Sequence, residues 1–352
     1  MLAKNILRYA STSANLYNFL GDTDFEKHID IYKGAVANAL KAHEDAMTFK
    51  VDDLIVEDEF KVLDQPKTNP LIYVTFHTGS YNMLSTLLLK LGREVNVLSD
   101  TESVKNSDYN ELSELYNTKY KNGCKLEMVN VERDGSIFNV LRQIRKGTAT
   151  VAYLDGNKGI GGQIKNNSNM LSVNFLKGRV KVRKGLAYIS YLLKAPIVLV
   201  LNYSIDGLNY IKFYQPFLIN EGDKETFCIK AIDKIFQHFE EHVMKFPTQW
   251  SNWLYVHNWT DLEYFRDDDE NNINKNLGPE YSFNSDRFCP LKLESKFYLF
   301  DRKNYSMISI DDELKDVFSH KTSIDERQRL ISNLNMSNPS LTRDLFIKQV
   351  LI

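Results

Sequence analysis

An α/β fold with a central, mostly parallel sheet flanked by helices is the class this chain predicts, and three features carry the prediction. Short apolar, β-branched runs alternate with helix-spaced stretches from residue 66 to about 265. The clearest run, LIYVTFHTGSYN at 71–82, ends in a histidine and breaks on Thr78-Gly79-Ser80, as a buried strand, a tight loop and a helix start would. A length of 352 residues with 43% hydrophobic content suffices for one large core and an appendage.

Residues 1–65 read as a helical N-terminal region of the core, because AVANALKAHEDAM spaces Val36, Ala39, Leu40 and Met47 along one face. Leu2, Ile6, Tyr9, Ala10, Ser13, Tyr17 and Leu20 form a similar stripe, suited to packing on the chain's own domain or to an interfacial membrane contact. The core at 66–265 then alternates: strand 71–76, helix 83–91, strand 94–100, helix 108–122, strand 125–131, helix 136–146, strand 148–155, helix 185–194 and strand 195–204, with YIKFYQPFLI after it. Right-handed crossovers between such strands give a parallel sheet covered on both faces. A helix at 224–244 and the aromatic stretch FPTQWSNWLYVHNW close the core. The acidic, Asn-rich residues 266–280 have too little apolar content to pack and read as a linker. Beyond them, 281–352 reads as a small α+β domain: a hairpin in KFYLFDRKNYSMISI, then two or three short helices.

A net charge of −2 gives no general attraction to nucleic acid, so any basic site must be local. Cys124, Cys228 and Cys289 are odd in number and far apart, which suggests neither a disulfide framework nor a zinc cluster and fits a cytoplasmic chain, with peripheral membrane contact as the variant. No window approaches the ~20 apolar residues of a membrane span.

Of the seven histidines, His77 alone ends a predicted buried strand, where open α/β sheets place their chemistry. A neutral imidazole there can take a proton from a hydroxyl or amine, provided an acceptor fixes its tautomer; Asn82, five residues on, can turn back to it. The alternative is a structural histidine. Arg179, Lys181, Arg183 and Lys184 form the one dense basic cluster, and alternation puts Arg179, Lys181 and Arg183 on one side of an extended segment, suited to a phosphate group or to a solvated strand face. GNKGIGG, from Gly156 to Gly162, fits no phosphate-loop or dinucleotide pattern and reads as a loop over the site. No G-x-S-x-G elbow is present. His238 and His242 lie four apart on a helix without a third metal ligand, and read as an exposed helix face. Trp250, Trp253 and Trp259 read as packing for the closing edge of the core.

Four segments, in order, resemble the lysophospholipid acyltransferase superfamily, and within it the late acyltransferases of lipid A biosynthesis. YVTFHTGSYNMLSTLLL resembles the His-x4-acid block, LRQIRKGTATVAYLDGNKG the helix, Lys-Gly turn, strand and Asp-Gln segment, VNFLKGRVKVRKGLAYISYLLKAPIVLV the Phe-x-x-Gly and Ala-Pro-Val-Val block, and FPTQWSNWLYVHNW the closing Pro-x-Gln-Trp-x-x-Trp block. The resemblance spans residues from about 40 to 260. It implies an acyltransferase that needs no metal or redox cofactor, taking its acyl group from acyl carrier protein or acyl-CoA as co-substrate. His77 would be the general base on a hydroxyl or amine of a soluble or peptide acceptor, with Asn82 and Asp155 in the catalytic set and Arg179, Lys181, Arg183, Gly156 and Phe175 binding substrate. Two features depart from the family: Asn82 stands where the acid is expected, leaving Asp155 as a source of charge, and the N-terminal membrane span of the lipid A enzymes is missing.

The last domain resembles, more distantly, the winged-helix modules that bind a peptide by strand addition on enzymes modifying ribosomally made peptides; a stabilising or dimerising appendage is the alternative. For the whole chain the rival functions are a degenerate acyltransferase fold that binds a peptide or carrier protein without chemistry, and a thioester hydrolase in which His77 activates water.

Overall fold

The alternating pattern is realised as a seven-stranded sheet. The computed structural model describes residues 2–352 apart from 22–23, 106–108, 134, 156–168, 221, 267–281, 312–313 and 320–321. Gly156 with its glycine-rich loop, and nearly all of the expected linker, lie outside the described residues. The chain divides into two units, one of residues 30–175 and 180–259, the other of 1–29, 176–179 and 260–352.

The first unit carries β1 (Ile55–Glu57), β2 (Ile72–Thr75), β3 (Val95–Ser99), β4 (Leu126–Asn130), β5 (Ala149–Tyr153), β6 (Met170–Phe175), most of β7 (Gly178–Arg183), β8 (Ile197–Ile205) and β9 (Leu208–Phe213). The sheet order is β1-β9-β8-β2-β5-β3-β4. Strands β8, β2, β5, β3 and β4 run parallel. The β8–β9 pair is an antiparallel hairpin, and β1 adds to β9 in parallel. β6 and β7 form a separate two-stranded ribbon. Strand β2 is buried at all four positions, as expected of a central strand covered by helices on both faces. Tyr73, Val97, Val151, Val198 and the leucines of helix Met83–Lys90 share one apolar cluster.

The second unit joins the two chain ends, so residues 1–29 group with the C-terminal segment rather than with the sheet core to which the sequence reading gave them. The reason lies in helix Leu2–Leu20, whose Ala10 and Ala14 pack with Leu291 and Phe300. From Thr12 to Leu16 every residue of this helix is buried; of the stripe, Ala10 and Ser13 are buried, and Ile6, Tyr9, Tyr17 and Leu20 are partly exposed. The C-terminal sheet has three antiparallel strands, β10 (Phe288–Leu293), β11 (Lys296–Asp301) and β12 (Ser306–Ile310). The sequence predicts only the last two, as a hairpin; β10 contains Pro290 and is an edge strand, where a missing N–H is tolerated. Helices Lys315–Phe318, Ile324–Ser337 and Pro339–Ile347 follow, and Val317, Phe318, Ile331 and Leu345 join Phe288 and Leu299 in the unit's own core. No helix among the described residues is long and apolar enough to cross a membrane.

Candidate active site

Strand pairing decides which residues meet. Thr75 of β2 lies beside Tyr153 of β5, so His77 and Asp155, two residues further along neighbouring parallel strands, emerge together at the carboxyl edge of the sheet. Asp155 is buried, its side chain wholly shielded, while the His77 side chain is 26% exposed. Asp155 Oδ1 lies 2.8 Å from His77 Nδ1, and Oδ2 accepts the His77 backbone N–H at 2.9 Å. A buried carboxylate of this kind holds a proton on Nδ1 and leaves the lone pair on Nε2. Tyr81 and Tyr153 flank the imidazole, with ring centroids 4.7 and 4.6 Å away. The Tyr153 hydroxyl donates to the Tyr81 carbonyl at 3.1 Å.

The segment after helix Lys224–Lys245 closes the arrangement from the other side. Pro247 starts a short 3₁₀ turn, and the chain then runs antiparallel to the His77 loop: Gly79 N–H donates to the Gln249 carbonyl at 3.1 Å and Ser251 N–H to the His77 carbonyl at 2.9 Å. The Gln249 side chain pairs with the backbone of Ser204 on β8 through two bonds of 2.7 and 2.8 Å. The Trp250 indole N–H donates to Asp155 Oδ2 at 2.7 Å, and Asn252 Nδ2 donates to the Asp155 carbonyl at 2.5 Å. Asn252 Nδ2 also comes within 3.4 Å of His77 Nδ1, but a protonated Nδ1 offers it no lone pair, so its hydrogen bond is the one to the carbonyl.

The loop that carries His77 is fixed from beneath. Gly79 has φ +55°, and a Cβ there would stand 2.6 Å from the Asn202 backbone, so only glycine fits without strain. Asn38 Nδ2 donates to the Gly79 carbonyl and to Ser251 Oγ, both at 3.0 Å. Ser80 Oγ donates to Asp45, which also accepts from Lys41 at 2.6 Å and Asn209 at 2.9 Å. Burial pushes the Asp45 carboxyl up, and the bonds from Lys41, Ser80 and Asn209 outweigh it and hold the pKa below the usual carboxylate value.

Several expectations change here. Asn82 donates from Nδ2 to the Ala42 carbonyl at 3.3 Å, tying the start of its helix to helix Phe25–Met47; the group that holds His77 Nδ1 is Asp155. Phe175 is fully buried among Phe236, Phe239 and Trp250, its ring 5.4 Å from the indole, so its expected contact with substrate gives way to packing behind the site. Lys181 and Arg183 do alternate with the buried Val180 and Val182 on β7. Arg183 lies 3.9 Å from Glu132, and Lys184 is paired with Glu225 at 2.6 Å. Arg179 falls in the other unit, its guanidinium 5.0 Å over the Tyr264 ring. His242 is buried rather than on an exposed helix face: its Nε2 lies 3.0 Å from Thr78 Oγ1, and burial pushes its pKa down to about 4. His238 instead lies against Tyr214, the two rings tilted with centroids 4.8 Å apart. No group of three or more potential metal ligands occurs among the described residues, and the three cysteines are free.

Gln249, Trp250 and Asn252 were missed as site residues by sequence reasoning, which took the tryptophans for packing alone. All three tryptophans are indeed buried. The available signal was the pair of amides, Gln249 and Asn252, set in an otherwise aromatic run.

No protein-family model matches this chain, and no curated protein matches it in sequence. Among solved structures, the crystal structure of the 1-acyl-sn-glycerophosphate (LPA) acyltransferase PlsC from Thermotoga maritima is 15% identical, covering 68% of this chain and 96% of that one. The TM-score is 0.34.

Proposed function

We propose that this chain is an acyltransferase in which His77, held by Asp155, is the general base. The observation that carries the reading is convergence. Four segments that resemble acyltransferase blocks in the sequence supply, in order, His77, Asp155, Phe175 and Trp250 with Asn252, and these residues touch one another through the contacts above.

In this reading Nε2 takes the proton of an acceptor hydroxyl or amine as its oxygen or nitrogen attacks the carbonyl carbon of a thioester. The tetrahedral intermediate collapses by breaking the C–S bond. The imidazolium then returns its proton to the departing thiolate, so the base ends as it began. Asp155 stabilises the transient imidazolium and keeps Nε2 turned outward, the role of the buried aspartate in the serine-protease triad. The donor is acyl carrier protein or acyl-CoA. Arg183 and Lys181, on the more exposed side of β7, would meet a phosphate group of a donor or acceptor.

Recognition of a peptide acceptor by strand addition is favoured by one observation: β12 is an outer strand of its sheet, with Met307 and Ser309 exposed.

Intact-mass analysis of candidate hydroxyl and amine acceptors, incubated with acyl-CoA and acyl carrier protein donors, tests the reaction. An acceptor heavier by one acyl group, lost in His77→Ala, supports transfer. Free acid alone would put water in the acceptor's place. No turnover with any donor would leave a binding fold.

A further inference from the structure

Each oxygen of Asp155 faces a donor. Oδ1 faces the imidazole, Oδ2 receives both the His77 backbone N–H and the Trp250 indole N–H, and its carbonyl is capped by Asn252. The side chain is wholly shielded, so water cannot replace a lost donor.

Trp253 provides the contrast within the same turn. It is as buried as Trp250, and the two rings are 4.7 Å apart, but its indole N–H goes to the Pro247 carbonyl at 2.9 Å. Only one of the two neighbours is aimed at the carboxylate.

We propose that Trp250 is a positioning residue that acts through Asp155 on His77, its indole N–H locking the carboxylate so that the imidazole proton stays on Nδ1 and the lone pair on Nε2. The inference rests on the reading of His77 as the base and names a residue that reading does not need. It follows from the fixed acceptor requirement of a working imidazole: the tautomer is set by the partner of the other nitrogen, and here that partner is itself oriented by Trp250. Asn252, two residues on, clamps the same aspartate by its main chain.

The test reads the tautomer directly. Ring-nitrogen chemical shifts of ¹⁵N-histidine-labelled protein, taken at roughly pH 8 where an ordinary imidazole is neutral, report which nitrogen bears the proton; His77 is assigned by its loss in His77→Gln. The full-length wild type is expected to show His77 protonated at Nδ1. Replacing Trp250 by benzothienylalanine, which exchanges the indole N–H for sulfur and keeps both rings, is expected to give a mixed tautomer, as is Trp250→Phe. Trp253→Phe, which removes similar packing but no donor to Asp155, is expected to leave the tautomer unchanged. Where transfer is measurable, kcat should fall by up to about 10²-fold with KM nearly constant, the cost of a misplaced group.

An unchanged His77 tautomer in the benzothienylalanine protein would overturn the proposal, and so would an equal shift in Trp253→Phe. Because the nitrogen shifts need no substrate, a tautomer change without any acyl transfer would uphold the positioning role and remove the reaction instead.

Discussion

Each unit of this protein buries a carboxylate against a base, and the two pairs are chemically unlike. In the C-terminal unit Asp301 receives Arg287 through two parallel bonds of 2.9 and 2.8 Å, with 7% and 6% of the two side chains exposed. In the sheet unit Asp155 is just as buried, but its partner His77 is 26% exposed and presents a second ring nitrogen. An arginine bound bidentately has no proton to exchange near neutral pH. A histidine bound at Nδ1 has a lone pair left over. The lesson is that burial of the acid does not mark a site; what marks it is a partner that is partly exposed and keeps a second ring nitrogen outside the pair.

The largest effect should come from the carboxylate of the open pair. Asp155→Asn is expected to lower the transfer rate by about 10²- to 10⁴-fold, as loss of a general base and its orienting acid does, while the protein stays folded by circular dichroism. A folded Asp155→Asn protein with undiminished activity would break the comparison. The closed pair should answer in stability instead. Asp301→Ala leaves Arg287 buried and uncompensated, at a cost of about 3–5 kcal/mol, measurable by urea unfolding, with the activity of the remaining folded protein retained.

Gly79→Ala tests whether the loop under His77 must hold its left-handed turn. The φ of +55° and the clash with the Asn202 backbone put the cost at about 1–3 kcal/mol, and calorimetry should show a lower Tm together with a lower kcat. A wild-type Tm would mean that the loop has slack.

His242 is a further buried base, paired with neither acid, and it sharpens the comparison through pH. Burial depresses its pKa to about 4, and His257 is pushed down to about 4 by the same cause. Between about pH 6.5, where an unfolded histidine protonates, and pH 4, the unfolded chain therefore binds more protons than the folded one. Stability is then present in full above pH 6.5 and falls as the pH drops through this window. His242→Leu should flatten part of that slope in urea titrations, and His257 should keep the rest.

The smallest effect belongs to β7. Arg183→Ala is expected to raise the KM for a phosphate-bearing donor a few-fold, and less at high salt, because its side chain is 43% exposed and screened. No change in KM at low salt would return this face to the solvent.

How much of this was legible in the sequence differs between fold and site. The alternating class, the strand at 71–76 and His77 at its end were all readable, because period and glycine punctuation are local signals. So was the candidacy of Asp155, as the last residue of another strand. The identity of His77's partner was left open between Asn82, to orient the ring, and Asp155, as a source of charge. Asn82 was the near choice in sequence, but the neighbour in space is decided by the order β8-β2-β5, which no local pattern encodes. The grouping of residues 1–29 with the C-terminal unit was hidden for the same reason: an apolar helix face shows that it will be covered and not by what. Trp250 was hidden differently, since an aromatic residue in an aromatic run looks like filler until its one N–H is traced to an acceptor.

The antiparallel closure between 249–251 and the His77 loop also sets an order in time. During synthesis β2 and β5 can pair once both strands have been made, but the indole that locks Asp155 and the amide that caps it arrive roughly a hundred residues later. A nascent or truncated chain lacking residue 250 would thus carry His77 and Asp155 without their clamp, and long-range closures of this kind form late because the intervening loop must first be ordered. In the proposed reading the imidazole gains its clamp last, once residues 250–252 have been made.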